Sequence, residues 1–434
     1  KPAMGGGASP ASAGSISRAG WAVVLATYLA YVSMYCARKP FSVVKSTVQK
    51  EVGVSSQQLA NIDTALLTTY AAGQLSLGLI VRLCGGRKRA LVLAFLLAGA
   101  ATAAFGAANH PGSMLGAWAL AGLFAAPASP LFSIVVGESV PEQVRGTAIG
   151  IWSSCENLGG VFANNVAAKA LASYGWRSAF FVSGPLVAIW SVVLWAVLPA
   201  DSTATSVSKK EKGKAKSDAP ATSALSIPGV AATAGAYTLT KCARYCLMFW
   251  LPYFLSKAPE GPHFSPAAAG SIASLLDLAG TIGAIATGVA CDRLYGGATL
   301  RAASHLCAAT GFSFCVWAVA CLYGANANVH VMTMMLVGFF IAGPGGVLGA
   351  SAKNLVGFAG RGKEAALVAA VSGLVNGSAS AGAVAQSLVA SQLVSLLGWG
   401  GLFALLGLLM VSASVSLWSA IAIEAFALAK KKGE

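Results

Sequence analysis

Charge is what this sequence has least of. Only 10% of its 434 residues are Asp, Glu, Lys or Arg, and only 14 of them are acidic. Typical globular chains carry about 25%, so a soluble domain is excluded. A hydrophobic content of 56% excludes disorder, and 50 glycines without a Gly-X-Y period exclude collagen. Histidine is scarcer still, with four residues. His110, His263 and His330 fall near loops and His305 near a helix start, so no metal cluster or catalytic triad forms in the sequence. Nine cysteines lack zinc or redox spacing and read as small apolar helix residues. Enzyme chemistry therefore has no foothold, and no cofactor is called for. What remains, at a mean hydropathy of +0.71, is a polytopic membrane protein.

The net charge of +15 would suggest nucleic acid in a soluble protein. Here the basic residues lie between apolar runs, which points to membrane topology, lipid contact and an anionic ligand rather than nucleic acid. A bilayer core needs about 20 apolar residues per helix. Twelve such segments can be marked, at 19–44, 58–82, 89–108, 113–137, 145–170, 179–199, 227–257, 266–290, 300–324, 329–353, 364–390 and 399–428. They predict a tail (1–18), a six-helix half (19–199), a basic linker (200–226), a second six-helix half (227–428) and a short tail (429–434). The linker, with Lys209, Lys210, Lys212, Lys214 and Lys216, is polar and aperiodic, as a solvated connection is.

Basic residues collect beside alternate loops: Lys1 and Arg18; Arg82, Arg87, Lys88 and Arg89; Arg145; the linker; Arg293 and Arg301; Lys353, Arg361 and Lys363; Lys430 to Lys432. The opposite loops hold only Lys45, Lys50, Lys169, Arg177 and Lys257. The positive-inside rule then puts both termini and the linker on the cytoplasmic side or its organellar equivalent. The halves also echo each other, since Gly78–Arg87 resembles Gly288–Gly297 at corresponding places, and Arg38 and Arg244 each sit in the first helix of a half. Two parallel six-helix repeats match an all-α major facilitator fold, with substrate held between the halves near the midplane.

A charge inside a bilayer costs at least ~2.5 kcal/mol on insertion scales, so each such group needs a partner, water or a ligand. Tyr31, Tyr35 and Arg38 share one helix face by spacing, offering phenols and a guanidinium. Lys39 and Lys45 read as ordinary snorkelling lysines. In the seventh segment Lys241 and Arg244 share a face, and Arg244 is open to a structural pairing with Asp277. Two arginines without equal numbers of acids imply a dianion, phosphate or a phosphate ester first and a carboxylate second. Asp63, within two turns of a helix start, reads as interfacial or dipole-stabilised. Glu156 and Asp277 lie mid-segment, as counter-ions, proton carriers or structural acids.

Several stretches together carry a resemblance: Tyr35-Cys-Ala-Arg38-Lys39-Pro40; Arg145 to Gly150 followed by Ile151-Trp152-Ser-Ser-Cys-Glu156-Asn157-Leu-Gly159-Gly160; Arg244-Tyr245 with Trp250; and Gly343-Pro344-Gly-Gly-Val-Leu-Gly349. In this order the chain is similar, over nearly its whole length, to the organophosphate:inorganic phosphate antiporters of the major facilitator superfamily. The resemblance implies phosphate-linked exchange by alternating access, with Arg38 and Arg244 binding phosphate, and with Tyr31, Tyr35, Tyr70 and Asp277 at cavity positions. Two departures stand out. Glu156 replaces a histidine of bacterial members, and Gln74 replaces a lysine of many members, so the site loses a cation and gains an acid. The candidate substrate-binding set is Arg38, Arg244, Tyr31, Tyr35, Tyr70, Gln74, Glu156, Lys241, Asp277 and Asn376.

Three functions follow from this set: an organophosphate antiporter exchanging glycerol 3-phosphate or a sugar phosphate for inorganic phosphate, a facilitator carrying another anion with a proton through Glu156, or a non-transporting sensor. Which ester is preferred rests on pocket shape. The glycine-rich stretches Gly343–Gly346 and Gly373–Gly382 are expected to let helices approach and bend during gating, with bulk at Gly346 or Gly377 obstructing it. An acid-free opening rich in Gly, Ala and Ser resembles a trimmed transit peptide. A plastid envelope is therefore expected ahead of the plasma membrane or endoplasmic reticulum, and the chain is expected to act as a monomer.

Overall fold

The computed structural model describes residues 16–141, 151–199, 224–296, 298–360 and 365–433. Lys1, Arg145, the linker lysines, Arg361 and Lys363 lie outside these residues, as does the Arg145–Gly150 part of the motif above. Regular structure among the described residues is helical, the form that satisfies every backbone N–H and C=O within its own segment in lipid.

The first half contains α1 (Arg18–Met34), a 3-10 turn (Tyr35–Ala37), α2 (Pro40–Val52), α3 (Ser56–Leu75), α4 (Leu77–Leu83), α5 (Arg87–Ala107), α6 (Pro111–Ala125), α7 (Ala128–Ser139), α8 (Cys155–Tyr174), α9 (Trp176–Ala188) and α10 (Trp190–Val197). The second contains α11 (Val230–Lys257), α12 (Pro266–Arg293), α13 (Thr299–Leu322), α14 (Ala327–Ala350), α15 (Ala352–Phe358), α16 (Ala365–Ser416) and α17 (Trp418–Gly433). Each of the twelve apolar segments contains helix. Among the described residues eight helices are long and apolar enough to cross a membrane, or nine if α3 and α4, bent by 73°, form one span. The long helices α8 and α11 fall outside that set, and they carry Glu156, Asn157, Lys241 and Arg244, the polar groups of the central cavity.

Two boundaries differ from the sequence reading. The first segment is broken in its middle: the 3-10 turn interrupts it, Arg38 leaves helical geometry at φ −131° and ψ −33°, and Pro40 starts α2 at its first position. Proline has no N–H to extend a preceding helix and disfavours helical geometry before it, which is why the break falls here. The last two segments are joined without a loop, through Gly398 at φ 68° inside α16. Outward-facing Val192, Trp195, Phe312 and Leu408 are exposed, as a lipid-facing surface requires.

The halves meet at the end opposite the linker. There Asn165 Nδ2 of α8 donates to Ser274 Oγ of α12 at 3.1 Å, and Tyr253 Oη of α11 donates to Gln49 Oε1 of α2 at 2.7 Å. Ser391 Oγ of α16 donates to Gln57 Oε1 of α3 at 3.4 Å. Lys45 sits in this layer with no exposed surface, donating to Asp63 Oδ2 at 2.5 Å and to the Phe249 carbonyl of the other half at 2.9 Å. Neither residue behaves as the sequence reading had it: Lys45 does not snorkel and Asp63 is not interfacial. Each is buried because the other neutralises it.

Candidate functional site

Toward the linker end the halves enclose a cavity of about 230 Å³. From the first half it takes Tyr31, Tyr35 and Arg38, together with Tyr70 and Gln74 of α3 and Glu156 of α8. From the second half it takes Lys241 and Tyr245 of α11 and Asn376 and Ser380 of α16. A smaller lobe shares Tyr35, Glu156, Lys241 and Tyr245 with it and adds Lys39, Asn157, Arg244 and Asp277. All ten candidate residues thus line these two adjoining lobes.

The helix break at Arg38 positions the first cation. Its side chain is 3% exposed, lies 4.6 Å from the Tyr70 ring and 5.4 Å from the Tyr35 ring, and donates from Nη2 to Tyr245 Oη at 3.3 Å. Its Nε makes no hydrogen bond among the described residues. Ring faces attract a guanidinium but carry no net charge, so the positive charge remains uncompensated. Lys241 is similarly placed, 5.4 Å from the Tyr237 ring and 5.2 Å from the Tyr245 ring, and forms no ion pair with a described acid.

Arg244 and Lys39 have acids beside them. Arg244 Nη2 donates to Asn157 Oδ1 at 3.1 Å and lies 4.0 Å from Glu156 Oε2. Lys39 Nζ pairs with Asp277 Oδ2 at 2.9 Å across the halves, with side-chain exposures of 4% and 14%. The reading of Lys39 as a snorkelling lysine is corrected here, and so is the structural pairing of Asp277 with Arg244. The carboxylate is taken by the ammonium that the helix break turns inward. Gly159 and Gly160 make room for this layer, since a Cβ at Gly159 would lie 2.6 Å from the Tyr35 ring and one at Gly160 would strike Asp277 Oδ2. Four cations (Arg38, Lys39, Lys241, Arg244) against two acids (Glu156, Asp277) leave two positive charges in excess.

The remaining candidates shape the polar rim. Gln74 Nε2 donates to Tyr70 Oη at 3.1 Å, Tyr31 packs edge-on to Tyr35 at 5.9 Å, and Asn376, exposed on α16, donates to the Ser372 carbonyl at 2.9 Å. Sequence reasoning missed Tyr245, Asn157 and Lys39 as site residues. Tyr245 was findable: it lies four residues after Lys241, on the face the lysine shares with Arg244. Asn157 follows Glu156 in a membrane segment, where an amide needs a partner. Lys39 gave no such signal, because its partner is 238 residues away. No cluster of metal-ligating side chains occurs among the described residues.

Two helical halves around a cation-rich cavity that opens at one end define a secondary carrier. The chain belongs to the Major Facilitator Superfamily, whose family model matches residues 27–366. It is thus a multi-pass membrane transporter rather than an enzyme. Known relatives include putative glycerol-3-phosphate transporter 2 of Arabidopsis thaliana, 26% identical over 88% of this chain and 83% of that protein. Sugar phosphate exchanger 3 of Mus musculus is 24% identical over 95% and 94%, and glucose-6-phosphate exchanger SLC37A2 of Danio rerio 25% over 90% of each. Among solved structures, the partially occluded inward-open xylose transporter XylE of E. coli superposes with a TM-score of 0.68 at 12% identity, covering 93% of this chain and 98% of that one. At that identity the likeness is one of fold.

Proposed function

We propose that this protein exchanges an organic phosphate, glycerol 3-phosphate or a sugar phosphate, for inorganic phosphate by alternating access. The observation that carries the reading is the excess of two positive charges in the cavity between the halves. A buried excess of that size is stable only with a counter-ion, and a phosphate ester dianion supplies two negative charges on oxygens that match guanidinium forks. The names of the relatives, glycerol-3-phosphate transporters and sugar phosphate exchangers, support the same substrate class.

In the proposed cycle, substrate enters from the linker end and its phosphate meets Arg38 and Arg244, with Lys241 beside them. Tyr35, Tyr70 and Tyr245 offer hydroxyls to the remaining oxygens, and Gln74 and Asn376 face the organic moiety. Neutralising the cations removes their mutual repulsion, so the halves can draw together at the linker end. The layer around Lys45 and Tyr253 then parts, and release follows on the other side. An empty carrier keeps its excess charge and resists closure, which couples outward movement of one anion to inward movement of another.

Glu156 favours a second reading, in which anion movement is coupled to a proton, because its carboxylate borders both lobes of the cavity. Counterflow in liposomes tests the choice: labelled phosphate trapped inside should leave only when an organophosphate or phosphate is present outside. Efflux driven by a pH gradient alone would favour the second reading, and no flux under any condition would leave only a sensor. A monomer in a plastid envelope completes the proposal, to be checked by light scattering in detergent and by imaging a fluorescent fusion.

A further inference from the structure

A second cavity, of about 180 Å³, lies on the side opposite the linker and has no part in the function above. Its walls come almost entirely from the second half: Trp250 and Tyr253 on α11, and Ser391, Ser395 and Trp399 on α16. Ser56, at the start of α3, closes it from the first half, and Lys257, exposed at the end of α11, adds a cation. The rings do not stack. Trp250 and Tyr253 stand 5.6 Å apart at 76°, and Tyr253 and Trp399 6.2 Å apart at 30°, giving a bent aromatic wall.

Two polar groups of this wall lack a permanent partner. Trp250 is 3% exposed and its indole Nε1 makes no hydrogen bond among the described residues. A buried donor left unmade is a cost that a hydrogen-bonding ligand would remove. The Tyr253 hydroxyl is satisfied by Gln49 of the first half at 2.7 Å, and Ser391 Oγ reaches Gln57 of the first half at 3.4 Å as well as the Leu388 carbonyl of its own helix at 3.2 Å. Both cross-half bonds break when the halves part at this end, while the aromatic wall moves as one piece with the second half. Opening therefore leaves a pocket of ring faces, two unpaired donors (Trp250 Nε1 and Tyr253 Oη) and an ammonium.

We propose that this pocket is an outer binding site for a hydroxyl-bearing phosphate ester, occupied on the side opposite the linker before the ester enters the central cavity. Ring faces accept the C–H edges of a polyol, the indole N–H and the hydroxyls bond its oxygens, and Lys257 meets the phosphate as a point charge. The ligand class rests on the exchange reading above. A phospholipid headgroup offers the same chemistry and is the other possible source of the group bound there. Trp250 separates this pocket from the buried Lys45–Asp63 pair, with Lys45 Nζ 4.0 Å from its ring centroid.

Equilibrium binding of labelled glucose 6-phosphate to the purified full-length carrier tests the site. Wild type should bind two equivalents, Lys257→Gln one, Arg38→Ala one, and the double variant none. Trp250→Phe, which keeps an aromatic face and removes the N–H, should weaken the Lys257-dependent equivalent several-fold. A single equivalent that Lys257→Gln and Trp250→Phe leave intact but Arg38→Ala removes would overturn the outer site and spare the central one. A single equivalent lost in Lys257→Gln and untouched by Arg38→Ala would do the reverse. Repeating the measurement in nanodiscs separates the sources: retention in phosphatidylglycerol identifies the soluble ester, and loss there with retention in phosphatidylcholine identifies a headgroup.

Discussion

Lys45 and Asp63 pair at 2.5 Å with neither side chain exposed, and the same ammonium reaches the Phe249 carbonyl of the opposite half at 2.9 Å. One charge thus links α2, α3 and α11 at the closed end of the carrier. Removing one partner leaves the other charged and buried, which costs about 3–5 kcal/mol, whereas an apolar replacement of both is often near neutral. Lys45→Met should therefore destabilise the carrier more than Lys45→Met with Asp63→Leu. Thermal unfolding in detergent would show it, and a double variant no more stable than the single one would contradict the pairing energetics.

The two arginines should tolerate lysine poorly. A point ammonium keeps the charge but loses the planar pair of donors that phosphate oxygens accept. Arg38→Lys and Arg244→Lys should each lower exchange by about tenfold or more, equivalent to ~1.4 kcal/mol. Wild-type exchange in both variants would sink their assignment as phosphate anchors.

Gly160 is expected to be intolerant of even one methyl group. A Cβ there would strike Asp277 Oδ2 and displace the carboxylate from its 2.9 Å contact with Lys39. Gly160→Ala should fold yet exchange several-fold more slowly, because the cavity's cross-half pair is disturbed. Asp277→Asn should reproduce the defect, and an undiminished rate in both would remove the pair from the transport cycle.

Glu156 places a negative charge 4.0 Å from Arg244. That charge offsets one guanidinium and opposes an incoming anion, so removing it should strengthen the field available to the anion. Glu156→Gln should therefore bind the phosphate ester several-fold more tightly at constant pH. Equilibrium binding of labelled ester to the two proteins checks it, and equal affinities would make Glu156 a structural residue.

The gating glycines need a correction. Nothing lies within 4 Å of a Cβ placed at Gly346, Gly373 or Gly377, so these do not pack helices in this conformation. Close approach within the two stretches falls to Gly343, against Thr287, and to Gly382, against the Thr238 backbone; outside them it falls to Gly338, where a Cβ would lie 2.6 Å from the Leu276 carbonyl. Gly377 follows Asn376, which borders the open cavity, so the space beside it should narrow when the linker end closes. Gly377→Leu should slow exchange while leaving substrate affinity near wild type, whereas Gly382→Leu should destabilise the fold. An equal loss of rate and affinity in Gly377→Leu would reject the gating role.

The sequence by itself determined the class of molecule, because each apolar run of membrane-spanning length must form a self-satisfied helix and each exception to apolarity stands out at a cost of several kcal/mol. Arg38, Lys241, Arg244, Glu156 and Asp277 were legible for that reason, and so were the two halves. The tertiary structure decided which charges neutralise each other. Lys39 meets Asp277 across 238 residues, Lys45 meets Asp63, and among the described residues Arg38 and Lys241 form no ion pair. It also turned Lys39 inward, through a helix break whose position Pro40 marks but whose direction follows from packing. Helical periodicity fixes which residues share a face; it carries no information about which face of another helix will lie opposite, and that arrangement sets the cavity's excess charge.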